Sequence, residues 1–177
     1  MSTILEQARA FIDDAYGGGD KGLAHSHEVG DLLVQLGCDD QVVATGLLHD
    51  VVEDTGVDLE DVRAAFGDRI ADVVGALSED TTIKSYPTRK RALREGIGIA
   101  GPTALTVTAA DKLARTRAAD RRGHTLSERK LDHYERTLQM LIAHGIRTAQ
   151  TDELQRRLRL HRLRRRMQPA AMPAGRS

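Results

Sequence analysis

Cysteine is almost missing from this chain, with Cys38 the only one in 177 residues. No internal disulfide can form, and a reducing compartment is the natural setting. Tryptophan is absent and aromatic residues make up 3% of the chain, which argues against a base-stacking platform for single-stranded nucleic acid. Net charge is also missing, the formal total being zero. That balance hides a gradient. From Thr151 onward eight Arg stand against Asp152 and Glu153, so the preceding part carries 18 basic and 24 acidic residues, a net of −6. An acidic body is a poor general binder of polyanions, and a phosphate-bearing ligand then needs a metal or a local basic cluster. Long apolar runs are lacking as well. The longest uncharged stretch, Gly96 to Ala110, holds three Gly, a Pro and three Thr, too short and too polar to span a bilayer of ~30 Å. Met1-Ser2-Thr3-Ile4-Leu5-Glu6 shows no basic segment leading into an apolar one, so no signal peptide is apparent. A soluble cytoplasmic protein with no membrane partner is the expectation.

Strand-like alternation with hairpin turns is absent too, and a 3.6-residue period dominates. The pattern predicts helices over Thr3–Asp14, Leu23–Leu36, Asp40–Asp54, Leu59–Phe66, Asp68–Ser78, Thr88–Gly96, Thr103–Ala119, Leu126–His144 and Asp152–Arg166. Asp58 is placed to cap the fourth, Gly67 to stop it, and Asp68 to cap the next. Pro102 suits a first helical turn, and Gly17-Gly18-Gly19 reads as a flexible link. The fold class expected is an all-α helical bundle in one domain over residues 1–150. A basic helix over 151–167 and a disordered tail over 168–177 complete the chain. The sequence does not fix the oligomeric state, and a homo-oligomer stays open.

The chemistry concentrates in Gly46-Leu47-Leu48-His49-Asp50-Val51-Val52-Glu53-Asp54-Thr55. Residues four apart share a helix face, so a continuous helix would set His49 over Glu53 and Asp50 over Asp54. These polar groups are interleaved with Leu47, Leu48, Val51 and Val52, which need burial. Buried charge is costly unless it is paired or bound to a cation, and a metal site explains the pattern most simply. His25 on the second helix and Asp111, within Ala109-Ala110-Asp111-Lys112-Leu113, complete a candidate set of two imidazoles and two carboxylates. That mix suits Mn, Fe or Zn and leaves positions for water and substrate. Two carboxylates also neutralise a divalent ion, which can acidify water and polarise a phosphoryl oxygen. Glu53 and Asp54 stand where they could orient that water or move its proton. His25 is favoured over His27, which points across the helix. His124, His133, His144 and His161 have no matching context and read as ordinary surface residues.

On His25 and Val29, the run from Leu47 to Thr55, Phe66-Gly67 and Ala110-Asp111-Lys112-Leu113, the chain resembles the HD-domain metal-dependent phosphohydrolases. Within them it is most similar to RelA/SpoT-type alarmone hydrolases and their small stand-alone forms. The likeness covers roughly Leu23 to His144. It implies an all-helical hydrolase that removes the 3′-pyrophosphate of the nucleotide ppGpp, typically with Mn²⁺. His25, His49, Asp50 and Asp111 would be the metal ligands, and Glu53 and Asp54 the pair that activates water. Lys130 and Tyr134 occupy the places of a basic residue and a Tyr that contact the nucleotide. The Arg89-Lys90-Arg91 cluster matches a basic stretch of the family, with Arg89 a candidate for neutralising phosphates.

Two departures bear on the substrate. The family's basic pair and Gly-x-Pro-Tyr-like segment before the first His is replaced by Asp13-Asp14-Ala15-Tyr16-Gly17-Gly18-Gly19-Asp20-Lys21-Gly22. The family's Asn four residues after the last Asp, a nucleotide contact, is Arg115. These differences keep open a phosphohydrolase for another phosphorylated nucleotide or a small metabolite. A third reading, a non-catalytic module touching nucleic acid through the arginines of Arg156–Arg166, is weaker. Leu154, Leu158, Leu160 and Leu163 give that segment an apolar side suited to docking.

Overall fold

The computed structural model describes residues 3–18 and 21–167; the tail expected over 168–177 and Gly19 of the expected link lie outside them. Among the described residues the chain is all helical: α1 (Thr3–Ala15), α2 (Lys21–Gln35), α3 (Asp40–Leu48), α4 (Val51–Asp54), α5 (Leu59–Phe66), α6 (Asp68–Leu77), α7 (Tyr86–Ala100), α8 (Pro102–Arg121), α9 (Glu128–Ala143) and α10 (Ala149–Met167). None of these helices is long and apolar enough to cross a membrane.

Helix ends have local causes. Asp39 accepts from the Val42 N–H at 3.0 Å and starts α3. Asp58 and Asp61 close a reciprocal capping box on α5. Gly67 ends α5 at φ +82°, a conformation that favours glycine. Gly67 rather than Asp68 is also the residue preceding α6, and Asp68 falls inside the first turn, where its charge still complements the helix dipole. Ser127 accepts from the Lys130 N–H and starts α9.

One predicted helix is broken. The segment expected to run unbroken from Asp40 to Asp54 divides at His49-Asp50, where Asp50 takes φ −105° and ψ −1° and opens α4. Its carbonyl still accepts from Glu53 N and Asp54 N, at 3.1 and 2.9 Å. Neighbours on a continuous helix point about 100° apart. The break lets two consecutive side chains aim at one point.

Helix α8 is the axis of the molecule. It is buried at Ala104, Leu105, Val107, Thr108, Ala109, Ala110, Asp111, Leu113, Ala114 and Thr116, and it packs against α2, α3, α6, α7, α9 and α10. A helix buried nearly all round needs small, uncharged residues, which accounts for the uncharged stretch before Asp111. The main core adds Leu32, Leu33, Leu47, Leu48, Leu131, Leu154 and Leu158, each no more than 2% exposed. Each such leucine stabilises the fold by roughly 1.5–3 kcal/mol.

Helix α10 joins this core rather than projecting from it. Leu154, Leu158 and His161 are buried, and the Gln150 amide donates to the Leu32 carbonyl at 2.6 Å. The Leu126 N–H donates to His161 Nδ1 at 3.2 Å, tying the α8–α9 loop to α10. Four of its arginines are paired across helices: Arg157 with Asp120, Arg162 with Asp132 and Glu135, Arg164 with Asp120 and Arg165 with Glu128; Arg157 also pairs with Glu153 one turn earlier on α10.

Candidate metal centre

Three parts of the bundle meet at one point. His25 comes from α2, His49 and Asp50 from the α3–α4 break, and Asp111 from the middle of α8. The His25 Nε2 lies 3.0 Å from Asp111 Oδ1 and 3.7 Å from Asp50 Oδ2. The His49 Nε2 lies 3.2 Å from Asp50 Oδ2 and 3.8 Å from Asp111 Oδ1. His49, Asp50 and Asp111 are buried, at 3%, 7% and 6% exposure.

The His49 tautomer is fixed by its surroundings. Its Nδ1 sits 2.8 Å from the Gly46 carbonyl, an acceptor only, so Nδ1 carries the proton. The buried Nε2 has no hydrogen-bond partner, and in the neutral ring its lone pair faces the two carboxylates. Burial lowers the pKa of His49, but Asp50 and Asp111 outweigh it and push it up to about 10. Burial likewise works against the Asp111 carboxylate, yet Lys112 and Arg115 hold it well below the usual range. Asp50 is held low against the same burial by His49 and then Arg115. The centre is built to hold positive charge.

The donor set fits a divalent ion. Ligands held ~2.0–2.2 Å from an ion in octahedral or tetrahedral arrangement stand about 3.0–3.5 Å apart, close to the separations found here. His25, His49 and Asp111 each offer a ligand atom within 4.8 Å of the others, and Asp50 Oδ2 faces both imidazoles. Two neutral imidazoles with two carboxylates balance a charge of +2.

Glu53 and Asp54 stand at the solvent side of this point, on the wall of a cavity of about 270 Å³ that contains His49, Asp50 and Asp111. The Glu79 N–H donates to Glu53 Oε1 at 2.5 Å and orients it. Burial, then the nearby Asp50, raises the Glu53 pKa, and the same two causes raise Asp54. The Tyr16 hydroxyl donates to Asp54 Oδ2 at 3.4 Å. A second cavity of about 420 Å³ is lined by His25, Asp54 and the α8–α9 loop at His124, Thr125 and Leu126. Lys130, Tyr134 and Arg115 border both cavities.

Arg89 is placed differently. It donates to Glu79 Oε2 at 2.6 Å and to the Ile83 carbonyl at 2.9 Å, and it borders neither cavity. Its neighbour Lys90 is paired with the other oxygen of the same Glu79 carboxylate and, unlike Arg89, borders the smaller cavity. Sequence reasoning passed over Lys112, which is paired with Asp111 and lies 5.4 Å from the Tyr134 ring centre. Its signal in the sequence is its place directly after Asp111 in Ala110-Asp111-Lys112-Leu113.

Two histidines read as surface residues are buried. His133 is 5% exposed and borders the smaller cavity. The Arg94 guanidinium donates to its Nδ1 at 3.1 Å, and burial among Lys112, Lys90 and Arg94 lowers its pKa to about 2. His161 is fully buried beside Asp120. His161 continues the Leu154–Leu158 stripe at helical spacing, a signal that charge content masked.

Comparison with known proteins bears on this centre. A family model described as HD domain matches residues 4–143. A Synechocystis protein named a probable guanosine-3′,5′-bis(diphosphate) 3′-pyrophosphohydrolase is 41% identical over 61 residues, 34% of this chain and 8% of that protein. A Haemophilus influenzae protein named as the same hydrolase is 34% identical over 74 residues, 42% of this chain and 11% of its own length. The chain thus spans about a tenth of the curated relatives it matches. A solved structure described as a metazoan ortholog of SpoT that hydrolyzes ppGpp superposes with a TM-score of 0.77 at 23% identity, covering 90% of this chain and 96% of that one. A Listeria monocytogenes protein superposes at 0.68 with 26% identity, covering 81% and 98%.

Proposed function

The chain belongs to the HD-domain family, and on that premise we propose that it is a metal-dependent phosphohydrolase converting ppGpp to GDP and pyrophosphate. The observation that carries this reading is the convergence of His25, His49, Asp50 and Asp111 beside Glu53 and Asp54, between two cavities edged with cations. The curated relatives named for that reaction support the substrate class.

When bound by those four residues, a divalent ion, Mn²⁺ in our assignment, supplies Lewis acidity for a phosphoryl oxygen and for water. The remaining work falls to the chain. Glu53, held by the Glu79 N–H and raised in pKa, accepts a proton as the water oxygen bonds to the phosphorus carried on the 3′-oxygen. The bond from that phosphorus to the 3′-oxygen breaks, the 3′-oxygen takes up a proton, and pyrophosphate departs. Asp54 orients the water and is itself steadied by Tyr16. Lys90 and Lys112 meet the departing diphosphate, and Lys130 and Tyr134 border both cavities where the nucleotide lies across the centre. We assign the cytoplasm as its compartment.

Purified protein with Mn²⁺ should release pyrophosphate and GDP in equal amounts from ppGpp and lose this on Glu53→Ala. Turnover that survives the substitution refutes the role given to Glu53. A second reading, with the same centre and another phosphorylated nucleotide or small metabolite as substrate, is favoured by Arg115, which stands in place of the family's nucleotide-contacting Asn, borders both cavities and is bonded to two proposed metal ligands. A panel of nucleotides and phosphate esters decides between them.

A further inference from the structure

We infer that Arg115 is a resident counter-cation of the metal centre, competing with the divalent ion for the same carboxylate oxygens and setting how tightly that ion is held. The inference rests on the proposed reading of the centre as an ion site. Arg115 Nε donates to Asp111 Oδ1 at 2.7 Å, the oxygen that faces both imidazoles at 3.0 and 3.8 Å. Its Nη2 donates to Asp50 Oδ2, the oxygen that faces them at 3.7 and 3.2 Å. One planar guanidinium thus spans the two atoms an ion would need, a use of the fork that a lysine could not match.

Charge counting turns this contact into competition. Asp50 and Asp111 contribute two negative charges. Arg115 and Lys112, both bonded to them, contribute two positive ones. Counted with both imidazoles neutral, the form in which they would ligate an ion, the two carboxylates are already balanced by these two cations, and a divalent ion would leave the centre at +2. In a buried site that excess is far costlier than in water. The simplest relief is for one cation to leave. Lys112 is enclosed, with 11% side-chain exposure, whereas Arg115 is 41% exposed. Arg115 also borders both cavities, alongside Lys130. The guanidinium can swing off the carboxylates into a space where an anionic group would receive it. Anchorage four residues after Asp111 on α8 keeps it within reach for return.

The test measures Mn²⁺ affinity directly, by the free-ion paramagnetic resonance signal at constant ionic strength, in the full chain and in R115N and R115Q. Thermal unfolding with and without the ion accompanies it, and R115Q serves should R115N fail to fold. Each variant is expected to bind Mn²⁺ at least tenfold tighter than the unsubstituted chain. Each should also melt lower without the ion and gain more on its addition. A merely structural arginine gives the reverse, because its loss would loosen the ligands and weaken binding. Equal or weaker binding in the variants, with Mn²⁺ held by the unsubstituted chain, overturns the inference and leaves the ion site standing. No Mn²⁺ held by any of the three overturns the ion site and this inference together.

Discussion

Gly46→Ala tests whether the spacing between α2 and α3 sets the metal centre. A Cβ at Gly46 would lie 2.2 Å from Leu33 Cδ1 and 3.4 Å from Val29 Cγ1, both on α2. Carbon atoms in contact prefer about 3.5–4.0 Å, so α3 must retreat from α2 by more than an ångström or Leu33 must find a new rotamer. Leu33 is fully buried, and a filled core offers it little room. Overpacking of this kind costs about 1–3 kcal/mol. Replacing a helical glycine by alanine returns about 1 kcal/mol. The net loss is about 0–2 kcal/mol, a fall in Tm of up to about 8 °C for a chain of this size. The effect on the centre should be larger. Gly46 carries the carbonyl that fixes His49 Nδ1, and His25 sits on α2, so the substitution pushes two proposed ligands apart. Sites tolerate displacements of only about 0.5 Å, and Mn²⁺ affinity should fall at least tenfold while Tm changes modestly. Calorimetric titration and thermal unfolding measure the two effects. Gly56→Ala, whose Cβ meets nothing within 4 Å, serves as the neutral control. Leu33→Ala in the Gly46→Ala background removes the clash and should restore ion binding despite its own loss of core packing. A Gly46→Ala protein with unaltered Mn²⁺ affinity would refute the argument that helix spacing sets the centre.

Three further outcomes follow from the packing and charge. Leu158→Ala should cost about 2–5 kcal/mol in urea unfolding, since Leu158 is 2% exposed in the main core; a loss under 1 kcal/mol would mean that α10 is not part of the cooperative unit. Glu153 has its pKa lowered to about 2, mainly by hydrogen bonding to Arg117 and, against burial, to Arg157. A depressed carboxylate stabilises the fold above its unfolded value and loses that contribution as pH falls through its folded value. Melting temperature should therefore drop between about pH 4.3 and pH 2, and Glu153→Gln should flatten that part of the curve. Lys90→Ala should raise KM at least tenfold more than Arg89→Ala does in steady-state assays of pyrophosphate release, because only Lys90 borders the cavity; equal effects would contradict the assignment.

Most helices were legible because amphipathic periodicity and caps such as Asp58 act locally. The turn at His49-Asp50 was not. It contains neither Gly nor Pro, and the apolar pattern continues in register across it, so nothing in the spacing signals a break. The convergence of His25, His49, Asp50 and Asp111 was legible through residue type, since His and Asp framed by Leu, Val and Ala need a charged partner to be buried. Which member of Arg89-Lys90-Arg91 enters the cavity was not, because three consecutive cations differ only in rotation about α7. Arg115 could be seen as a departure from the family pattern, but its grip on Asp50 spans α8 and the α3–α4 break, a relation that only tertiary packing creates. The same holds for His133, which lies among polar residues in sequence and among buried groups in space.

The hydrogen bond from the Leu126 N–H to His161 ties the last helix to a wall of the larger chamber. Substitutions along that distant stretch, though none of its side chains reaches the chamber, would tilt the loop carrying His124 and Thr125 and so redraw the outline that an incoming molecule must match. The outline of that chamber can therefore drift through the carboxy-terminal helix while His25, His49, Asp50 and Asp111 stay untouched.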